Sequence, residues 1–353
     1  MGCSPSTGHV PGIRLQPGHG DSVISRRVFV ATVTAGFLAV PLVARAQPGG
    51  RRYRIGLLGT APPGSTGSTR LVEAFVQALR ELGYVEGRDF VLERRFDPEG
   101  RPDQLVRLAA ELVRLKVDVI VATGTLAPHA ATSATTTLPV VFTNHGDPVG
   151  SGLAVSLARP GGNVTGLSLL AGDLVAKQLE LLKNVAPRIV RVAVLWNPNT
   201  RTHPGMLDEA ESAARALDLR LERLGATGLG DYDRAFAVTT QPRADALLVL
   251  GDPIFWNQRS RIVELVTKYR LPAMFGQREY VEAGGLMSYG ANVSDSFRRA
   301  AIYVDKILNG ARPGDLPIEQ PGKFELVIGS RTAKALGLKI PESVLMQADQ
   351  IIE

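Results

Sequence analysis

From Tyr53 onward, short apolar runs alternate with longer segments whose apolar positions recur at helical spacing. Tyr53-Arg54-Ile55-Gly56-Leu57-Leu58 reads as a strand ending in Gly59-Thr60, and a Pro/Gly/Ser/Thr loop, Ala61–Thr69, follows. The next segment places Leu71, Ala74, Phe75, Ala78, Leu79 and Leu82 on one helix face and stops at Gly83. Strands are predicted at Phe90–Phe96, Val117–Ala122 and Leu138–Thr143, with helices at Asp103–Leu115 and Ala127–Thr135 between them.

The rhythm then repeats. Strands are predicted at Val190–Trp196, Leu219–Leu224, Ala244–Leu250 and Leu271–Phe275, and helices at Leu207–Leu217, Tyr232–Thr239 and Ile254–Tyr269. Strand starts recur at the spacing of a βα unit, the module of a parallel sheet. Two sets of four strands, separated by the Gly-rich stretch Gly150–Gly166 and a helix at Asp173–Val185, imply an α/β chain with two doubly wound parallel-sheet lobes. One eight-stranded sheet or a barrel fits the same rhythm. Past Phe275 the pattern changes to a turn and short strand at Glu282–Gly290, a helix at Ser294–Leu308, a linker at Pro313–Pro321, a strand at Phe324–Ile328 and a short helix at Thr332–Leu336.

The N-terminus changes the picture from a fold to a location. Ser25-Arg26-Arg27-Val28-Phe29-Val30 opens an uncharged apolar run from Val28 to Val43, followed by Ala44-Arg45-Ala46 and Gln47. This order matches the charged region, apolar core and A-x-A cleavage site of a secretory signal, and the paired arginines resemble a twin-arginine signal. The run is shorter than the roughly 20 residues that span a bilayer. Cleavage after Ala46 and a periplasmic location are expected, by the twin-arginine or the general secretory route. The Gly/Pro/Ser-rich residues before it suggest that translation starts near Val23; Met1-Gly2-Cys3-Ser4-Pro5-Ser6 fits an acylation pattern that an export signal downstream argues against.

Charge and cysteine content then exclude several classes. Lys and Arg number 40 and Asp and Glu 34; Arg14, Arg26, Arg27 and Arg45 against Asp21 precede Gln47, so the remainder is nearly balanced and no basic run suggests nucleic acid. Cys3 is the only cysteine and also precedes Gln47, which leaves no disulfide, thiol catalysis or cysteine metal site after cleavage. No G-x-S-x-G, H-E-x-x-H or P-loop occurs, and Gly161–Gly166 opens no predicted helix. No pair of the five histidines has metal-ligand spacing. No cofactor and no catalytic residue is assigned.

Ligands of parallel α/β layers bind outside the C-terminal strand ends. Those ends carry Gly59-Thr60-Ala61, Ala122–Thr125, Thr143–Pro148 (with Asn144 and Asp147), Trp196–Thr200 (with Asn197 and Asn199) and Leu250–Pro253 (with Asp252). Gly, Thr, Asn and Asp there serve equally as helix caps and turn formers. Asp147 and Asp252 each sit in a Gly-Asp-Pro triplet, one per lobe, suited to a ligand ammonium or to an Asx turn before proline. Trp196, Trp256 and Tyr289 are placed to stack on a ligand or to fill the core.

Several segments resemble the tryptophan/tyrosine-type ABC transporter substrate-binding proteins, which adopt the type I periplasmic-binding-protein fold. They include Leu82–Gly87, Val121–Gly124, Gly146–Val149, Trp196–Pro198, Gly284–Gly290, Ala333–Leu338 and above all Arg159-Pro160-Gly161-Gly162-Asn163-Val164-Thr165-Gly166. The resemblance implies two lobes, 47–167 plus 277–312 and 168–276 plus 313–353, joined by crossovers near Gly166–Ser168, Phe275–Gly284 and Pro313–Pro317. It implies hinge closure on an amino-acid-like or carboxylate ligand, and delivery by a monomeric binder to an ABC permease in the inner membrane. Carried over by position, Thr60, Gly124, Thr125, Asp147, Asn197, Asp252 and Tyr289 would line the cleft. The helix N-termini after Gly124 and near Asn197 would hold a carboxylate, and Asp147 or Asp252 an amine. The long Pro/Gly-rich loop after the first strand departs from the family pattern. A ligand-sensing module for a receptor partner fits the same features, and an exported α/β hydrolase using Asp147 or His145 fits fewer of them.

Overall fold

The computed structural model describes residues 52–60, 66–169, 171–238 and 244–353. The expected export segment, and most of the loop after the first strand, lie outside the described residues.

The first lobe is a five-stranded parallel sheet, β1 (Tyr53–Gly59), β2 (Phe90–Phe96), β3 (Val119–Thr123), β4 (Val140–His145) and β5 (Val164–Ser168), in the order β2-β1-β3-β4-β5. Its inner strands read as continuous apolar runs because helices cover both faces. One face packs Leu105 and Leu112 of α2 (Pro102–Arg114) with Ala127 and Ala131 of α3 (Leu126–Ala134). The other packs Phe75 and Leu79 of α1 (Thr66–Glu81) with Phe297, Ala300 and Val304 of the much later α10 (Val293–Leu308).

The second lobe is a seven-stranded sheet of β6 (Arg191–Trp196), β7 (Arg220–Gly225), β8 (Ala246–Val249), β9 (Ala273–Phe275), β10 (Met287–Ala291), β11 (Phe324–Gly329) and β12 (Gln350–Ile352). Its order is β12-β11-β10-β9-β8-β6-β7. Leu179 and Leu182 of α4 (Ala171–Val185) and Leu207 of α5 (His203–Ala216) cover one face. Phe236 of α6 (Leu229–Val238) and Ile262 and Val266 of α8 (Arg259–Lys268) cover the other. The predicted helix Ile254–Tyr269 is two: α7 (Pro253–Asn257) and α8, divided at Gln258. Helices α9 (Arg278–Glu282), α11 (Ser330–Ala335) and α12 (Glu342–Leu345) are short.

Two features differ from the sequence expectation. The second sheet is mixed, because β11 runs antiparallel to β10. The chain reaches β11 from the first lobe, not through a βα crossover, so nothing imposes the parallel direction. The crossings also shift. β10 pairs with β9, Met287 opposite Met274 and Ser288 opposite Phe275, so residues 277–291 complete the second sheet and the second crossing falls at Asn292 instead of Phe275–Gly284. The third falls between Glu319 and β11, because Ile318 packs in the first lobe's core and Glu319 bridges Leu167. The first passage between the sheets runs from β5 to α4.

The crossings brace one another. Ser168 N donates to the Glu319 carbonyl (2.9 Å) and Glu319 N to that of Gly166 (3.0 Å), so two of them run side by side. Asn292 caps α10 by accepting from Asp295 N (3.1 Å) and donates to the Glu325 carboxylate on β11 (3.1 Å).

Candidate functional site

The C-terminal ends of β1, β3, β4, β8, β9 and β10 face one cavity between the two sheets, as expected for parallel layers. Each strand stops where Gly, Thr or Asn ends its apolar run, which exposes short polar loops at this edge. Thr60, Gly124, Thr125, Asn144, Asp252 and Trp256 are part of its wall. Asp147, Asn197, Asn199 and Tyr289 stand outside it.

Asn144 occupies the most distinctive position. The β4–β5 register shifts between Phe142 and His145, and inside that bulge Asn144 adopts a left-handed backbone, φ +56°. Asparagine tolerates this conformation better than most residues. The bulge presents its side chain to the cavity, and its Oδ1 is buried with no hydrogen-bond partner in the protein. Trp256 is the aromatic wall on the opposite lobe, with the Arg259 guanidinium 4.7 Å from its ring centroid.

Asp252 is a hub. Its Oδ1 caps α7 by accepting from Ile254 N (2.8 Å) and Phe255 N (3.3 Å); its Oδ2 accepts from the Thr200 hydroxyl (2.5 Å) and Asn197 Nδ2 (3.2 Å). Those four bonds use the acceptor capacity of a carboxylate. Asn197 is consumed in the same network: its Oδ1 accepts from Asn199 N and its own N–H donates to His203 Nδ1 (2.8 Å). His203 Nε2 lies 3.2 Å from the Gly251 carbonyl, to which it donates, which fixes the tautomer. Burial lowers the His203 pKa and outweighs the raising effect of nearby Asp252. Asp252 and its partners thus fix where α7, and with it Trp256 and Asn257, projects.

Helix α7 meets the first lobe. Asn257 Nδ2 donates to the Thr60 carbonyl at 2.5 Å. The Ile254 side chain belongs to the first lobe's core, and a methyl group on Gly124 would lie 2.4 Å from Pro253 Cγ. Thr202 also approaches Gly146, its Oγ1 3.0 Å from where a Cβ would stand.

Asp147, the other Gly-Asp-Pro carboxylate, is exposed, and its Oδ1 accepts from Val149 N (3.1 Å) and Gly150 N (2.8 Å) in an Asx turn. Asn199 is exposed, and Tyr289 packs beside Phe324 and offers its carbonyl to Gln178 Nε2 (2.7 Å). His129 and His145 form an edge-to-face pair 5.7 Å apart behind the β4 end. Among the described residues, no group of three or more His, Cys, Asp or Glu is placed to hold a metal.

A family model for ABC transporter substrate binding proteins matches residues 65–352. The chain belongs to that family. A substrate-binding protein is a receptor and not an enzyme, which agrees with a cavity of caps, amides and apolar side chains. A curated relative is a tyrosine-binding protein of Clostridioides difficile (strain R20291), 26% identical over 268 residues, 76% of each chain. Among solved structures, a conserved domain protein from Vibrio cholerae aligns at a TM-score of 0.80 with 27% identity, over 85% of this chain and 100% of that one. An ABC domain from Streptococcus pneumonia in complex with L-Trp aligns at 0.78 with 26% identity, over 86% and 100%.

The substrate-binding protein also uses wall residues that sequence reasoning passed over. Leu71, Phe96, Leu174, Met206, Val293 and Phe297 make much of the wall apolar. Leu71, Leu174, Val293 and Phe297 belong to the opening turns of helices whose later turns are core, so their helical spacing reads as packing alone. The missed signal is position, since the first turn after a strand's C-terminal end is aimed at the shared edge.

Proposed function

We propose that this protein captures a small aromatic ligand, amino-acid-like or a carboxylate, between its two lobes outside the cytoplasm and delivers it to an ABC permease. The observation that carries the reading is the cavity itself: one wall comes from each lobe, and Trp256 and Phe96 face a space of about 120 Å³ among neutral polar groups. A space walled by side chains of both lobes suits a small molecule and not an oligomer. Relatives named for tyrosine and crystallised with L-Trp support an aromatic ligand. The contacts of α7 with Thr60 and Gly124 support closure by lobe rotation, with the ligand favouring the closed state through contacts that only that state completes. The Arg26-Arg27 signal and Ala44-Arg45-Ala46 support export.

Thermal melts and small-angle scattering with a panel of aromatic acids and amino acids test this. A ligand present at a hundredfold its Kd adds about 2.7 kcal/mol of stability. The melting temperature should therefore rise, and the radius of gyration should fall, with the same compound. A panel in which no aromatic compound moves either quantity would overturn the reading.

A further inference from the structure

Helix α9 begins where the cavity wall ends. Gly276 and Gln277 line the cavity, and Arg278–Glu282 follow directly. The helix is fixed on both sides of its second residue. Arg278 pairs with Glu282 (3.0 Å) and Glu325 (3.4 Å), and the Tyr280 ring stacks on Phe275 with centroids 4.4 Å apart. Glu279, between them, is held in place. Its Oε2 is buried and has no hydrogen-bond partner among the described residues.

The indole of Trp256 has the complementary deficiency. The ring is part of the cavity wall, and its Nε1 is buried and equally without a partner among the described residues. Glu279 and Trp256 are neighbours. Burial raises the Glu279 pKa; the adjacent indole N–H and Arg259 act against it, and Glu282 acts with it. Arg278 and Tyr280 are also beside this carboxyl. A buried N–H and a buried carboxylate oxygen each cost free energy while unpaired, and one bond between them relieves both. A small turn of either side chain makes that bond, and buried tryptophan usually finds such an acceptor.

The rest of Trp256 is already held. Asp252 caps α7, Arg259 Nη1 donates to the Trp256 carbonyl (3.0 Å), and the Arg259 guanidinium lies over the ring. What is left to set is the tilt of the indole, and an acceptor for Nε1 sets it. Aromatic pairs are particular about their relative orientation, so this tilt governs how a ligand ring fits.

We propose that Glu279 is a positioning residue whose carboxylate accepts the Trp256 indole N–H, fixing the tilt of the aromatic wall against which a ligand ring packs. This deepens the proposed capture of an aromatic ligand and rests on it.

Magnetic resonance of the indole N–H tests the contact without any ligand. Trp196 and Trp256 are the two tryptophans of the chain, so in a Trp196→Phe background a single indole signal reports on Trp256. That signal should titrate as Glu279 protonates, between about pH 8 and 4. Glu279→Gln keeps an acceptor that does not titrate, so the signal should stay fixed with pH. Glu279→Leu removes the acceptor and should move the signal upfield. A signal insensitive to pH with Glu279 in place, or one that titrates equally in Glu279→Gln, overturns the proposal. Affinity is the second readout. L-Tryptophan, L-tyrosine and 4-hydroxybenzoate are titrated by calorimetry into the wild-type protein and both Glu279 variants. Each that binds should lose at least about tenfold in Glu279→Leu and under about threefold in Glu279→Gln. Equal losses in the two variants would mean that Glu279 only fills space, and would equally refute the positioning role. Silence from all three overturns the aromatic reading, while the indole signal still decides this contact.

Discussion

Two aspartates in the same triplet, Gly-Asp-Pro, do different work here, and the difference lies in what each carboxylate faces. Asp252 is 2% exposed and holds two backbone N–H groups, a hydroxyl and an amide. Asp147 is exposed and closes its own turn. Hydrogen bonds to buried charged groups contribute about 1.5–3 kcal/mol each, and a donor left unpaired costs about 1–3 kcal/mol. Asp252→Asn turns one oxygen into an NH₂ that confronts Asn197 Nδ2, so it should destabilise the protein by about 2–3 kcal/mol in urea unfolding. Asp147→Asn should change stability by under about 0.5 kcal/mol, as surface substitutions do. Equal effects would mean that Asp252 is not the hub the geometry describes. The sequence made both residues candidates because a cap before a helix and a ligand contact ask for the same residue type. Asn197 shows the same ambiguity, being a strand-end residue spent on bracing.

At the scale of elements, most of the pattern was legible. The strands from β1 to β4 and from β6 to β9, and the long helices, follow from apolar period alone. β5 was hidden, because Gly166 breaks its apolar run; a Cβ there would stand 2.1 Å from the Phe142 carbonyl, so the strand can pair this closely only with glycine. β12 has three residues, too few for a period. Helix α7 was read into α8, since the break at Gln258 leaves the apolar spacing almost intact, yet α7 is the element that carries Trp256 and Asn257 to the cavity. Its fit against Gly124 gives an element-level test. Gly124 has φ +75°, where a side chain costs about 1 kcal/mol, and Pro253 Cγ occupies the space a methyl would need. Gly124→Ala should hold the lobes apart, weakening ligand binding at least about tenfold and enlarging the ligand-bound radius of gyration. Gly83→Ala is the control: its φ of +96° is strained, but no atom lies within 4 Å, so stability should fall while affinity holds. Wild-type affinity in Gly124→Ala would show that α7 does not pack against this loop when ligand is bound.

The whole molecule couples two sheets through three crossings, and the second falls later than the change of rhythm after Phe275 suggests. The change of rhythm after Phe275 was visible, but a strand added to an existing sheet and a strand leaving it have the same local pattern. The same coupling shapes the response to acid, because neutral histidines sit in both lobes. Burial lowers His145 to about 3, with neighbouring His129 adding to it, and lowers His129 to about 4, with Arg201 of the other lobe adding to it. His203 is lowered by burial as well. The unfolded chain protonates all three near 6.5, while the folded protein leaves them neutral, so it binds fewer protons below that pH. Their contribution to stability is complete above about 6.5 and is lost as pH falls through the folded values. Asp89, Asp231 and Asp349, whose pKa values are lowered from 3.8, contribute in the same direction but at the acid end. Glu279, raised by burial, opposes the trend above its ordinary value of 4.5. Three groups against one give a net fall in stability between about pH 6.5 and 4.5, measurable as a declining urea midpoint. His145→Gln removes one of the three, so its stability should depend on pH less steeply in that window, by up to about 1.4 kcal/mol per pH unit. The slope is the diagnostic quantity, since the substitution also shifts stability at every pH. A variant with the wild-type slope would show that His145 is protonated in the folded protein, and that the pair behind β4 is not the dry one its unpartnered ring nitrogens indicate.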